Sequence, residues 1–554
     1  ALVAAAPPFE RAHESFYGLS GDAAIASRQA AKAEHSRLAD AIYFVGDDSR
    51  SSAVAYLRGL AYPTIRWFDG ARGLVLPPAG ERGLYVLPDR AAADFARRCL
   101  GDGTIIAREL DPPTGARVDL ALAGPEDSPC GVSQHGLDVP FEGVARLLGF
   151  DAPGSAEPGQ QIEVTLRWEA LATRATRSRA FVRLVDRHGQ IAGRQPGEAG
   201  GQVEAAVYPS ASWRAGEVAI GTARLEIDPT LAPSEYFFEL GFTMGGGLAL
   251  VADDGALARR GQQVVRGGAL RVVSRSTPLA PDGLPITLPA SAQFGGVRLL
   301  GASLDGDTPR AGDPVLLTLF WQNAGGRLAE QEVSIVVREL SGNALRAWRG
   351  GPVDGTYPTT AWKPGEIVRD SHSLVLPASV PAGPLELVVG LAGPGQEPER
   401  YETLSQLNLR PITRQFTQPS IRTLEELRFG DLARLVGYEL KDRRLKPGDS
   451  LELRLVWQAL AETLEGYTVS VQLQASDGRT VARHDAAPSN GRRPTTGWLA
   501  GEFVEDEHRV QIPRQTERGR YRLAVAVYQP ESREPLLGPN AGGQVVLGTE
   551  VVVE

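Results

Sequence analysis

The sequence predicts a mainly β protein, in which a small N-terminal α/β layer domain precedes three tandem β-sandwich modules of the Ig-like or jelly-roll type. Three observations predict it. One set of landmarks recurs three times along the chain. Beyond about Val139 apolar and polar residues alternate with period two, the pattern of half-buried strands. Before that point helix-like and strand-like stretches take turns, the pattern of an α/β layer.

Residues 1–138 carry the α/β domain. Gly21 to Asp40 is alanine-rich without internal Gly or Pro after its start and predicts a helix. Ile42 to Val45 reads as a strand, Ser51 to Ala61 as a helix stopped by Pro63, and IRWFD, LVLP and LYVLP (from Ile65, Leu74 and Leu84) as short strands. Arg90 to Leu100 predicts a third helical stretch, followed by strands at Ile105 to Leu110 and Val118 to Ala123. A largely parallel sheet is the expectation.

The modules are assigned to residues 139–275, 276–412 and 413–554, the last two with their linkers. Each opens on a phenylalanine: Phe141 in FEGVARLLGF, Phe294 in FGGVRLLGAS, Phe429 in FGDLARLVGY. Each continues into a strand ending in tryptophan, at Trp168, Trp321 and Trp457, and then into a second tryptophan before Gly-Glu, at Trp213, Trp362 and Trp498. Landmark spacings agree, about 150 residues and then about 136. Tryptophan at a strand end suits the gap between two sheets. For Trp213, Trp362 and Trp498 two readings stand: packing at the end of the sandwich, which the neighbouring turn glycines favour, and exposed stacking platforms for sugars. The stretches 274–293 and 411–420, rich in Pro with Ser or Thr, read as extended semi-rigid connectors.

Composition bounds the function. At 554 residues the chain exceeds what one core supports. A net charge of −9 and a pI near 5.5 argue against reliance on phosphate contacts, so no nucleic-acid partner is expected. The chain starts at Ala1 with Met244 its only methionine, which reads as a processed chain or a fragment, and no apolar run is long enough to span a bilayer. Cys99 and Cys130 either pair, closing a loop of about 30 residues, or stay as two thiols. Neither cysteine has a Cys or His at ligand spacing and the seven histidines are scattered, so no metal and no cofactor are expected. Asp47 and Asp48 follow the Ile42–Val45 strand, where ligands gather in open α/β sheets, though Asp48 or Ser49 capping a helix is the competing reading. Glu505 and Asp506 read as part of an exposed charge cluster, and no catalytic residue is assigned.

The run IYFVGDDSRSSAVAYLRG, then IRWFDGARGLVLPP, GLYVLP and ADFARRCL, resembles the soluble C-terminal region of bacterial multispanning glycosyltransferases of family 39, the protein O-mannosyltransferase and aminoarabinose transferase type. The likeness covers about residues 40–125, with WFDG and LVLP its most specific parts. The resemblance implies an extracytoplasmic, noncatalytic appendage beside a membrane-embedded transferase, acting as a spacer or holding cell-envelope glycans or partners. Two other functions fit the modules: a free cell-surface or assembly protein, and a secreted carbohydrate-active enzyme with sandwich modules. Sheet edges offer places for neighbouring chains to add, so a homo-oligomer is a further expectation.

Overall fold

The computed structural model describes residues 39–45, 64–88, 93–110, 117–141, 145–172, 178–189, 191–194, 203–204, 213–244, 264–276, 279–305, 309–513, 516–530, 534–536 and 543–554. The expected helices at Gly21–Asp40 and Ser51–Ala61 fall outside the described residues but for Ala39 and Asp40, and Asp47, Asp48 and Ser49 lie outside them entirely. The chain divides into two compact units, the first holding most of the chain up to Arg271, the second Val272–Glu554 together with Pro229–Ser234.

In the first unit the N-terminal sheet is built from β1 (Ala41–Val45), β2 (Thr64–Phe68), β4 (Gly83–Pro88), β5 (Ile105–Leu110) and β6 (Arg117–Ala123), in the order β2-β1-β4-β6-β5. β1 pairs parallel with β2 and β4, but β6 pairs antiparallel with β4 and β5, so the sheet is mixed rather than largely parallel. The expected helical stretch at Arg90–Leu100 is the short α1 (Asp94–Leu100), which buries Phe95, Ala96, Cys99 and Leu100. The LVLP run departs from expectation more sharply. It forms β3 (Gly73–Leu76), which leaves its own domain's sheet and pairs antiparallel with a strand of the first sandwich.

That sandwich consists of β7 (His135–Phe141), β8 (Ala145–Asp151), β9 (Ser155–Ala156), β10 (Gln161–Ala170), β11 (Ser178–Val185), β12 (Gly193–Arg194), β13 (Val203–Glu204), β14 (Val218–Ile227), β15 (Ser234–Met244) and β16 (Val264–Val272). β7 pairs with β8 from His135, a few residues ahead of the expected boundary at 139. In the second unit, module 2 comprises β17 (Leu288–Phe294), β18 (Val297–Asp305), β19 (Pro314–Asn323), β20 (Glu332–Glu339), β21 (Ala344–Gly350), β22 (Ile367–Val375), β23 (Gly383–Ala392) and β24 (Glu402–Leu409). Module 3 comprises β25 (Thr423–Phe429), β26 (Ala433–Leu440), β27 (Arg444–Leu445), β28 (Ser450–Ala459), β29 (Thr468–Gln474), β30 (Thr480–Ala486), β31 (Phe503–Gln511), β32 (Gly519–Tyr528) and β33 (Val545–Val553).

The three modules share one topology. One sheet runs β7-β8-β10-β14, β17-β18-β19-β22 or β25-β26-β28-β31; the facing sheet runs β13-β11-β15-β16, β21-β20-β23-β24 or β30-β29-β32-β33. The glycine of the opening motif has the same task each time. A Cβ on Gly149 would lie 2.4 Å from the His135 carbonyl oxygen, on Gly301 2.6 Å from Ile286, and on Gly437 2.4 Å from the Thr423 carbonyl oxygen. The first strand therefore crosses the second where only a hydrogen fits, and a register shift sits beside that crossing in all three modules. The 274–293 stretch is less linker than expected, because Leu288–Phe294 is already β17.

Candidate functional site: the Trp-x-x-Gly-Glu corner and its joints

The second tryptophan of each module sits in a tight corner. Trp213, Trp362 and Trp498 are 2%, 4% and 1% exposed, so no indole face is open to a sugar ring, and the stacking-platform reading gives way to packing. Their burial is anchored by polarity as well as area. Trp362 Nε1 donates to the Tyr357 carbonyl at 3.1 Å and Trp498 Nε1 to the Arg493 carbonyl at 2.9 Å. In modules 2 and 3 the preceding threonine, Thr359 or Thr495, is buried and accepts the backbone N–H of Gln331 or Tyr467 at 3.0 Å. The glycine after each tryptophan, Gly216, Gly365 or Gly501, has φ of 87°, 78° or 84°, the left-handed turn that lets the chain re-enter a strand.

The glutamate that closes the corner was not singled out from the sequence, although it recurs in all three copies. One oxygen caps the turn, accepting the backbone N–H three residues back: Arg214 at 2.9 Å, Lys363 at 2.7 Å, Leu499 at 3.1 Å. The carboxylate then takes a further partner. Glu217, 1% exposed, accepts from Tyr43 Oη at 3.2 Å and Arg66 Nε at 3.1 Å, both on the N-terminal sheet. Glu366 accepts from the Tyr357 hydroxyl at 3.0 Å. That phenol is pushed up to about 12, first by burial and then by the carboxylate. Glu502, fully buried, pairs with Arg493 at 2.5 Å and with Arg414 at 2.6 Å.

Arg414 turns the corner into a joint between modules 2 and 3. Its guanidinium donates to the Ala378 carbonyl of module 2 at 2.7 Å and to the Gly497 carbonyl of module 3 at 3.0 Å. Beside it Thr496 Oγ1 donates to the Gly312 carbonyl at 2.6 Å. A Cβ on Gly312 would fall 2.3 Å from Gly497 Cα, so the two turns meet backbone to backbone. The 411–420 stretch is thus clamped into the joint, with Phe503 N donating to the Gln415 carbonyl at 2.7 Å, and is not an open connector. Arg275, in the earlier linker, donates in the same way to the Pro229 carbonyl at 2.6 Å, within the same unit. Gly312→Ala is expected to force this backbone contact apart, shown by new protease sensitivity at residues 411–420 with the spectra of both modules unchanged.

A second constellation lies inside the sandwiches. Asp370 and Asp506 are fully buried; Asp506 therefore does not belong to an exposed charge cluster, although Glu505 faces solvent. The alternating strand turns Asp506 inward toward Trp457, whose Nε1 donates to it at 3.2 Å, while Ser489 N donates to its other oxygen at 2.7 Å and His508 Nε2 lies 2.9 Å away. Module 2 repeats this: Trp321 Nε1 at 3.1 Å, Val353 N at 2.7 Å and His372 Nε2 at 2.9 Å surround Asp370. His372 keeps its proton to higher pH than usual, since burial opposes the charge but Asp370 outweighs it. Module 1 has Gly221 and Ala223 at these positions, and Trp168 Nε1, buried, has no hydrogen-bond partner among the described residues. Trp457→Phe is accordingly expected to cost about 1 kcal/mol more than Trp168→Phe, because only the former removes a donor from a buried carboxylate. Chemical denaturation of the two variants measures the difference.

His484 faces His508, Nδ1 to Nδ1, at 2.9 Å. Its pKa is pushed down to about 4 by burial and by His508, against the pull of Asp506. In the unfolded chain an ordinary histidine binds its proton near pH 6.5. The neutral folded form therefore stabilises module 3 above that pH, and the contribution is lost as pH falls from about 6.5 toward about 4. Up to roughly 3 kcal/mol is expected to disappear across this window. A His484→Phe variant is expected to lose most of the dependence in a pH series of melting curves.

Cys99 and Cys130 are joined in a disulfide, tying α1 to the turn ahead of the first sandwich. Among the described residues no group of three or more His, Cys, Asp or Glu is placed to hold a metal ion, and no helix is long and apolar enough to cross a membrane.

No protein-family model matches the chain, and no curated protein matches it. Solved structures that align with it include a membrane-anchored protein of Corynebacterium diphtheriae, at 9% identity over 73% of this chain and 93% of the other, with a TM-score of 0.13. Another is the transglutaminase of red sea bream, at 12% identity over 48% of this chain and 31% of the other, with a TM-score of 0.16. Superpositions this loose transfer neither fold nor function, and the sandwich assignment rests on the strand pairing itself.

Proposed function

We propose that the chain is a noncatalytic extracytoplasmic spacer, the tail of a membrane-embedded glycosyltransferase of the family it resembles at residues 40–125. The observation that carries the spacer role is the clamp between modules 2 and 3, where Arg414, Glu502 and the Gly312–Gly497 contact fix one sandwich on the next. A clamped pair holds its ends at a set distance, which a flexible linker does not. The burial of Trp213, Trp362 and Trp498 favours spacing over glycan holding through those residues. Asp370, Glu502 and Asp506 are each saturated by partners within the chain, which favours structural over catalytic carboxylates. The disulfide supports an oxidising compartment.

The test is the mass of the protein isolated from native membranes and culture fluid, read with the sequence encoded upstream of Ala1. Several apolar spans in one polypeptide with this tail support the proposal. A freely released chain of about the mass of these 554 residues overturns it and favours the surface-protein reading.

A further inference from the structure

Modules 2 and 3 carry the same left-handed turn beside the strand that holds their buried aspartate. Val353, Asp354 and Gly355 have φ of 54°, 52° and 77°, and Ser489, Asn490 and Gly491 have φ of 54°, 53° and 80°. The first residue of each turn donates its N–H to the aspartate at 2.7 Å, Val353 to Asp370 and Ser489 to Asp506. The glycine N–H folds back onto the preceding chain. Gly355 donates to the Gly351 and Pro352 carbonyls at 2.9 and 3.0 Å, and Gly491 to the Ala487 and Pro488 carbonyls at 2.9 and 3.2 Å. The middle residue differs by a single functional group: a carboxylate at Asp354, a carboxamide at Asn490.

Of the chain's five asparagines only Asn490 precedes a glycine, so no side chain on the next residue hinders closure of a ring onto it. Asn490 is exposed, and among the described residues no hydrogen bond holds its carboxamide. The fold accepts a carboxylate at this place, since Asp354 fills it in module 2 with the same backbone. The closed turn restrains the chemistry. The Gly491 N–H is engaged by two carbonyls, and Ser489 ties the turn to β31 twice, through its N–H and through its hydroxyl, which donates to the Glu505 carbonyl at 2.6 Å.

We propose that Asn490 is a site of spontaneous deamidation, gated by its turn, and that the product gives module 3 the carboxylate that module 2 has at Asp354. With the turn released, the Gly491 nitrogen attacks Asn490 Cγ, a C–N bond forms, the amide proton passes to solvent and the side-chain nitrogen leaves as ammonia. Water then opens the cyclic imide at either carbonyl, giving aspartate or, with the main chain rerouted through the side chain, isoaspartate. One water enters, one ammonia leaves, and no atom changes oxidation state. The new charge acts on the histidine pair. Asp370 and Asp354 together favour the protonated form of His372. In module 3 Asp506 does so for His484, against burial and His508. Arg483 and Asp485 pair with each other on the opposite face of β30, and Arg492 Nε is turned to the Ser489 carbonyl at 3.2 Å. A carboxylate at 490 therefore supplies module 3 with the second negative charge that module 2 already has.

The experiment incubates the full chain, its Ser489→Ala variant and a synthetic peptide of residues 485–494 in mildly alkaline buffer, and follows ammonia release and isoaspartate by peptide mapping. Conversion at residue 490 and at no other asparagine is expected, fastest in the peptide and slowest in the parent chain. Ser489→Ala keeps the bond from its N–H to Asp506 and loses the one to Glu505, so it is expected to convert about fivefold faster than the parent, the change in turn opening carried by one hydrogen bond. Asn490→Asp is expected to lose less stability than the parent between about pH 6.5 and about 4, because the added carboxylate favours the protonated histidine. An Asn490 still intact in folded Ser489→Ala after the peptide has converted overturns the site. Equal rates in the parent and the peptide overturn the gate, and an Asn490→Asp protein with the parent's pH dependence overturns the equivalence with Asp354. If Ser489→Ala fails to fold, the parent at denaturant concentrations just below its transition replaces it, with conversion at 490 required to rise ahead of global unfolding.

Discussion

Glu502→Ala is expected to destabilise the second unit by about 3–5 kcal/mol, the cost of breaking a buried ion pair by removing one partner. The carboxylate is fully buried and serves three donors, namely Leu499 N, Arg493 and Arg414. Alanine leaves two guanidiniums and a turn N–H facing one another with no acceptor, and the Arg414 bonds to Ala378 and Gly497 must then be held without their counter-charge. The same change therefore weakens the corner and the joint. Calorimetry is expected to show the melting temperature of module 3 falling by about 10 °C or more, and the transition of modules 2 and 3 splitting in two. Glu366→Ala is the control: its partner there is the Tyr357 hydroxyl, not a buried cation, so about 1–2 kcal/mol is expected. A Glu502→Ala protein that melts in one transition within about 2 °C of the parent would show that the joint is not held by charge.

How far the sequence reaches is clear from where these residues lie. Period-two alternation, tryptophans at matched offsets and glycines at crowded crossings are local properties, each dictated by one strand and its nearest neighbour, and they give the modules, their order and the packing role of the tryptophans. The Gly-Glu of the corner is visible three times as a pattern, but its partners differ in each copy: Tyr43 and Arg66, Tyr357, then Arg493 and Arg414. No single spacing announces them. Asp370-x-His372 and Asp506-x-His508 are harder still, because charged residues in an alternating strand read as solvent-facing until the facing tryptophan is known. The partner of an apolar run is equally silent. LVLP is a strand by composition, yet only the outer edge of β14 explains why it leaves its own sheet. The Asp47–Asp48 site and the two early helices concern residues that lie largely or wholly outside those described, and stand as expectations.

Opening the Cys99–Cys130 disulfide is expected to cost the first unit about 4 kcal/mol, the chain entropy of a loop of 31 residues, and to leave the second unit unchanged. The bond closes a segment that includes β5, β6 and the turns before the first sandwich, and Ser128 Oγ donates to the Cys99 carbonyl at 2.9 Å inside it. α1 is anchored by its own buried face, whereas the Pro129–Gly131 turn buries none of its residues, so the position of that turn against the helix rests on the covalent link and on the Ser128 bond. A Cys99→Ser, Cys130→Ser double variant is therefore expected to melt at lower temperature in the first unit alone, and reductant is expected to reproduce the shift in the parent but not in the variant. The effect bears on the extracytoplasmic role proposed for the chain. A unit that loses about 4 kcal/mol on reduction spends a large part of an ordinary domain's stability, and a reducing cytosol would leave it marginal. If reduction leaves the melting of the first unit within about 1 °C of the oxidised protein, the disulfide carries no such weight, and the extracytoplasmic reading must stand on the resemblance at residues 40–125 alone.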